Sequence, residues 1–255
     1  LSGNFDGKSD YKIDRVQLAH KNNYLVNAKP VFFELKDSNL KVKPFEFHIN
    51  DGLMEGVIMK NQNLEGTFKM SNFDAEILTQ FIEDERLKTT GLIFGEVLIE
   101  TNNEDLDIDV DLSFKNGVYM DEPFDEMVIS GLYKNGILHL DDLSMTKEKS
   151  IGLHIDGIIP LKNQGDQVSI SMESNFSNLS LEFLHRFIPE FFKIGGMATG
   201  NINLNGTNEE TYFSYDININ NPEFELVKMQ SLVSKGYYNG KKLFIETAQA
   251  KNDNG

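Results

Sequence analysis

Side chains able to do chemistry are thinly spread along this chain. Its five histidines, at 20, 48, 139, 154 and 185, form no HxxxH or HExxH pair that would seat a metal on one helix face. His139 precedes Asp141 by two residues, which puts both on one strand face, where a lone surface histidine is the ordinary outcome. Asp107, Asp109 and Asp111 alternate and so invite a Ca²⁺ reading. They lack the glycine and distal glutamate of a loop site, and alternate aspartates on a strand read as a solvated face. No GxSxG elbow occurs, cysteine is absent, and no Ser-His-Asp set follows from spacing. The expectation is a chain with no catalytic residue, no metal and no cofactor.

The glycine-rich stretch GGMATGNINLNGT, 195–207, is the remaining candidate for chemistry. A phosphate cradle needs GxxxxGK[ST] or GxGxxG between a strand and a following helix. Here a helical pattern comes first and a strand follows, with no lysine after the glycines. Gly196 and Gly200 have the spacing of a membrane dimer motif, but Lys193 and Asn201 flank them. The simpler reading ends the helix at Gly195 and Gly196 in a left-handed cap, and leaves Gly200 for a close backbone approach at the strand start. Asn175, Asn178 and Asn205 fall in glycosylation-type triplets; the first two triplets lie at a helix start, where Asn and Ser are expected as caps.

The elements that would position any site are strands. LDIDVDLSF sets Leu106, Ile108, Val110, Leu112 and Phe114 against Asp107, Asp109, Asp111 and Ser113. FSYDININ sets Phe213, Tyr215, Ile217 and Ile219 against Ser214, Asp216, Asn218 and Asn220. Similar runs lie at 45–49, 138–145, 168–172 and 243–246. Each is a strand with one apolar and one wetted face. Asp6-Gly7, Asp51-Gly52, Asn116-Gly117, Asn135-Gly136, Asp156-Gly157 and Asn239-Gly240 favour the positive φ of tight hairpins, implying an antiparallel meander. Two stretches, 71–87 and 177–192, carry apolar residues at three-and-four spacing and predict amphipathic helices over about 73–87 and 179–192. Ile77, Leu78, Phe81 and Ile82 line the first; Leu181, Leu184, Phe187, Ile188 and Phe191 line the second, where Pro189 forces a kink or restart.

Those helices are copies. SNFDAEILTQFI over SNLSLEFLHRFI, an offset of 106, matches at six of twelve positions. GLIFGEVLI, 91–99, lies over GMATGNINL, 196–204, with both glycines aligned, and SGLYKNGILHL, 130–140, over SKGYYNGKKLFI, 234–245. The chain therefore divides into the end of a preceding unit at 1–62, which SGNFDG at 2–7 echoes, and two tandem units at 63–165 and 166–255. Read this way, it is a fragment of something longer.

Composition narrows the function classes. With 255 residues, 40% hydrophobic and 25% charged, the chain has enough apolar mass for a sizeable core. A net charge of −16 argues against nucleic acid as a partner and against adhesion to anionic lipid through charge. No apolar run is long enough to span a bilayer as a helix. The nineteen phenylalanines and the amphipathic strands leave an apolar face that must be covered, either by the protein itself or by a ligand with long hydrocarbon chains.

The order LSLEFLHRFIPEFFKIGGMATGNINLNGT followed by an alternating strand resembles the TamB family of the AsmA-like group. Leu179, Leu181, Leu184, Ile188 and Pro189 match its apolar helix ending near a proline. Gly196, Gly200, Ile202, Leu204, Gly206 and Thr207 match its G-x-x-x-G-x-hydrophobic-x-hydrophobic-x-G-T strand. The 71–101 copy lacks the proline and has Glu100-Thr101 in place of Gly-Thr. The resemblance covers roughly 63–255. It implies a periplasmic protein of Gram-negative bacteria, anchored in the inner membrane by a segment outside this sequence. The implied fold is an elongated antiparallel meander curled into a taco-like groove with one amphipathic helix per repeat. The implied role is phospholipid transport towards the outer membrane and support of outer-membrane biogenesis and protein assembly with a TamA-type barrel partner. The apolar residues that would line such a groove are Leu106, Ile108, Val110, Leu112, Phe114, Ile202, Leu204, Phe213, Tyr215, Ile217 and Ile219. The alternative is a structural or adhesive cell-surface β-repeat protein with a self-filled core.

Overall fold

The computed structural model describes residues 9–20, 23–79, 88–102, 105–119, 122–148, 150–161, 169–185, 194–207, 210–224 and 227–252. The protein is mainly β, an antiparallel meander with short helices. It divides into two compact units: Leu1–Tyr119 with Val128–Asn135, and Met120–Met127 with Gly136–Gly255. The division falls within one strand, β10 (Glu122–Lys134).

In the first unit, β5 (Asn39–Ile49), β6 (Gly52–Lys60), β7 (Leu64–Asp74), β8 (Leu92–Asn102) and β9 (Asp105–Tyr119) pair in chain order. Before them, β4 (Val31–Lys36) pairs with β5 and with β1 (Ser9–Ile13). β3 (Asn23–Asn27) joins the far end of β5 and carries β2 (Gln17–His20). In the second unit, β11 (Ile137–Lys147), β12 (Ser150–Pro160), β13 (Ile170–Ser180), β14 (Ile194–Gly206) and β15 (Thr211–Phe224) run in the same way. β15 then pairs with a two-residue strand, β16 (Val227–Lys228), and with β17 (Ser231–Tyr238), which carries β18 (Leu243–Lys251). All the alternating runs read from the sequence lie in these strands, although β13 starts at Ile170 and the start of the 168–172 run falls outside the described residues.

Both helices start later than the periodicity predicts. Residues 71–74 and 177–180 are strand, and the helices are α1 (Ala75–Thr79) and α2 (Leu181–His185). The remaining stretches, 80–87 and 186–193 with Pro189, lie outside the described residues. The repeated Ser-Asn pair is therefore no cap. Two residues of β7, Ser71 and Asn72, stand against one of β8, between the pairs Met70–Gly95 and Phe73–Ile93. The second copy repeats this between Phe176–Gly200 and Leu179–Ala198. Asn72 and Asn178 have φ of 55° and 51°. These are β-bulges with the extra residue in the left-handed region that asparagine tolerates best after glycine. The caps come two residues further on. Asp74 Oδ1 accepts the N–H of Glu76 at 2.9 Å, and Ser180 Oγ that of Glu182 at 3.2 Å. Asn178→Ala is expected to cost about 1 kcal/mol of stability and Asn178→Gly close to none, since only the alanine is strained there. Urea denaturation of the two variants measures this, and an equal loss for both would contradict the assignment.

Turn chemistry is legible in part. Asn135 and Gly136 have φ of 52° and 78°, as a two-residue hairpin turn requires. Asn239-Gly240 opens the β17–β18 turn, where Asn239 Oδ1 accepts the N–H of Lys242 at 3.0 Å. Ile49 pairs with Gly52, so Asn50-Asp51 makes that turn and Gly52 already belongs to β6. Asn116-Gly117 and Asp156-Gly157 are not hairpins; they lie inside β9 and β12. The turn of Asp37 and Ser38, with φ of 47° and 69° between Lys36 and Asn39, carries neither asparagine nor glycine. Asp6-Gly7 falls outside the described residues.

Candidate functional site

Antiparallel partners share a sheet face, so register places each apolar residue beside its neighbours. In the first unit Ile108 stands against Ile99, Val110 against Val97, Leu112 against Gly95 and Phe114 against Ile93. Leu106 stands against Thr101. The next strand continues the rows with Gly66, Phe68, Met70 and Phe73. In the second unit Phe213 stands against Leu204, Tyr215 against Ile202, Ile217 against Gly200 and Ile219 against Ala198. Those rows continue through Met172, Ser174, Phe176 and Leu179. The two sets superimpose at offsets of 105 and 106, so the repeat holds at the level of individual cross-strand pairs.

Each apolar face is closed at one end and open along the rest. At the helix end Phe73, Ala75, Ile77 and Ile93 are 0–3% exposed, and Leu179, Phe183 and Ala198 match them in the other unit. Phe114 and Ile219, in the same rows, are also buried, and so are Met70 and Phe176 in the rows next to them. Phe183 is the anchor that the helical spacing did not single out. Beyond this end the apolar side chains of three strands stay half-buried: Ile108, Val110 and Leu112 in β9, Ile202 and Leu204 in β14, and Phe213, Tyr215 and Ile217 in β15. Leu106, furthest from α1, is 37% exposed. Aromatic contacts set the spacing on the open part. The Phe213 ring stacks on Tyr238 at 5.4 Å, and the Tyr215 hydroxyl lies 3.3 Å from Ser234 Oγ. On the opposite face of β15, Ser214, Asp216, Asn218 and Asn220 are all exposed, as the alternation requires.

The glycine-rich stretch serves this face. Gly195 and Gly196 do not cap a helix; they lie in β14, at an irregularity where Asn221 and Pro222 of β15 stand against Gly196. Gly196 has φ of 123°, outside the left-handed helical region. Gly200 allows the close approach expected of it, and Gly95, its copy, allows the same. A Cβ on either would lie 2.0 or 2.1 Å from the carbonyl oxygen of Asp111 or Asp216 across the sheet. These glycines hold strands together and offer no anion cradle.

The polar face differs from expectation at one position. Asp107 is 8% exposed although it belongs to the aspartate ladder; Asp109 and Asp111 are exposed. Lys134 covers it, with Nζ 2.9 Å from Oδ2, and Asn102 Nδ2 stands 3.5 Å from the same oxygen. The hydrogen bond to Asp107, and then its negative charge, hold the Lys134 ammonium above the usual lysine range. The contact therefore contributes in full below the ordinary value of 10.5 and fades as pH rises through the raised one. Lys134→Met is expected to lower the urea midpoint at pH 7, because it leaves the Asp107 carboxylate buried without its cation. A variant as stable as the parent would contradict that role.

Among the described residues His154 has two carboxylate neighbours. Its ring lies 3.1 Å from Asp142 and 3.4 Å from Asp156, one on the neighbouring strand and one on its own. His139 is exposed on β11. Among the described residues no group of three or more histidine, aspartate or glutamate side chains could hold a metal ion. None of their helices is long and apolar enough to cross a membrane. Set against family models, curated proteins and solved structures, the chain matches none.

Proposed function

We propose that this chain is a length of an apolar β-groove that shields the hydrocarbon chains of phospholipid in transit between inner and outer membranes. The observation that carries the reading is the half-burial of the apolar faces. Ile202, Leu204, Phe213, Tyr215 and Ile217 stand in register yet stay short of the near-complete burial of Phe73 and Phe183. A self-filled core drives such side chains to the exposure seen at the helix end; an apolar surface meant for a ligand leaves them accessible. Each CH₂ of an acyl chain taken from water contributes about 0.8 kcal/mol, so a few are held firmly enough to shelter and loosely enough to slide. Phospholipid needs no fixed polar partner for its tails, which accords with an open face built from aliphatic and aromatic groups.

The resemblance to the TamB family supplies the wider setting of this proposal: a periplasmic location, an inner-membrane anchor and a TamA-type barrel partner, all through a longer protein, in outer-membrane biogenesis. The competing reading, a structural or adhesive β-repeat, has no use for a half-exposed apolar face. A photo-crosslinking amino acid at Tyr215 separates the two. It is expected to capture phospholipid in cells, while the same group at Asp216, on the wetted face, is expected to capture none. Equal capture, or none at either position, would set the groove reading aside.

A further inference from the structure

The second copy carries a polar spot on its apolar face where the first copy has only aliphatic residues. At the offset of 105 that aligns Gly131 with Gly236, Tyr215 and Ser234 take the places of Val110 and Ile129. Tyr215 stands against Ile202 and Gly236, and Ser234 against Ile217, so both hydroxyls belong to the apolar face of β15 and β17. Gly236 makes room for the phenol to lie across β17. A Cβ there would come 2.8 Å from the Tyr215 hydroxyl oxygen and 3.1 Å from its Cε1, besides meeting the Phe244 carbonyl oxygen at 2.2 Å. The ring so placed brings its hydroxyl to 3.3 Å from Ser234 Oγ. Both residues are half-buried, and among the described residues neither hydroxyl has another hydrogen-bond partner.

Two hydroxyls carry two protons, and the bond between them uses one. Whichever hydroxyl donates, one O–H is left over, polarised by the bond beside it. Water serves as its acceptor until a ligand displaces it, and the ligand then has to replace that bond. Charge selects the kind of acceptor. Gly200, Ile202, Ile217 and Tyr238 around the pair are uncharged, and Asp216 and Lys235 stand against each other on the opposite face. A phosphate or carboxylate would lose hydration here without gaining a counter-charge, whereas a neutral carbonyl needs only a donor. We infer that the Tyr215–Ser234 pair donates a hydrogen bond to an ester carbonyl of a diacyl lipid lying on this face. The inference rests on the groove reading and deepens it. The second copy holds the ester level of the lipid, and the first, with Val110 and Ile129 at those positions, holds hydrocarbon alone.

The test incubates the full 255-residue chain with vesicles equimolar in a diester phosphatidylcholine and its diether analogue of equal chain length. The two lipids differ only in the carbonyls, and the bound lipid is extracted from the separated protein and quantified. The parent is expected to hold the diester about fivefold over the diether, the effect of one neutral hydrogen bond. Tyr215→Phe combined with Ser234→Ala removes both protons and keeps the ring, and is expected to hold the two lipids equally. Tyr215→Phe alone leaves one proton on Ser234 and is expected to fall between. With a carbonyl-labelled diester, the infrared carbonyl stretch is expected to move to lower frequency on the parent and to stay in place on the double variant. Equal binding of the two lipids by the parent, or a preference undiminished in the double variant, would overturn the inference and leave the groove reading standing. Binding of neither lipid would overturn both. The parent's own ratio needs no variant, so the test stays decisive even if the double variant fails to fold.

Discussion

Gly95→Ala is expected to lose about 3 kcal/mol of stability, a drop of roughly 10 °C in Tm for a chain of this size. Two costs add. The backbone at Gly95 has φ of 126°, a conformation that disfavours any side chain. The added Cβ would also lie 2.0 Å from the Asp111 carbonyl oxygen, so β8 and β9 must separate and their ladder hydrogen bonds lengthen. Gly152→Ala is the matched control. Its Cβ would meet nothing nearer than 3.5 Å, and the change is expected to stay within about 0.5 kcal/mol of the parent. Thermal denaturation of the two variants measures the contrast, and a Gly95→Ala protein melting within about 2 °C of the parent would contradict it.

Ile217→Asp and Val110→Asp are expected to reduce phospholipid capture about tenfold while leaving both variants folded. Both side chains are half-buried, so the new carboxylate keeps access to water and the sheet tolerates it. A lipid chain lying on the face has no such access. Losing contact with about two CH₂ groups removes about 1.6 kcal/mol, slightly more than a tenfold change in affinity. Phe73→Asp, by contrast, places charge at a fully buried position and is expected to unfold its unit. Lipid extraction with quantitation against protein, alongside circular dichroism, distinguishes these outcomes. Undiminished lipid in a folded Ile217→Asp variant would show that this face is not where lipid sits.

Much of the architecture is legible in the sequence because period-two alternation is a local signal. Phe213, Tyr215, Ile217 and Ile219 need no distant partner to be assigned to one face. The misreadings share a cause, that similar residue types serve different backbone states. Ser71-Asn72 and Ser177-Asn178 have the composition of helix caps, but Asn also suits the left-handed residue of a bulge, and the choice depends on the opposite strand. Gly195 and Gly196 were open to the same confusion. Asp107 follows the alternation in facing away from Ile108, yet what covers a face is decided by register, and Lys134 arrives from another strand. His154 meets Asp142 across an irregularity between β11 and β12 whose position no spacing rule supplies. The half-exposure of Ile202 and Leu204 is likewise a property of how strands assemble, so the apolar face was readable and its openness was not.

Native mass spectrometry of the chain purified from bacterial membranes and periplasm without detergent tests the central claim most directly. The groove reading predicts the 29.0 kDa chain accompanied by phospholipid masses, with those adducts depleted in Ile217→Asp. A parent protein that is folded and carries no lipid under the same conditions would contradict it.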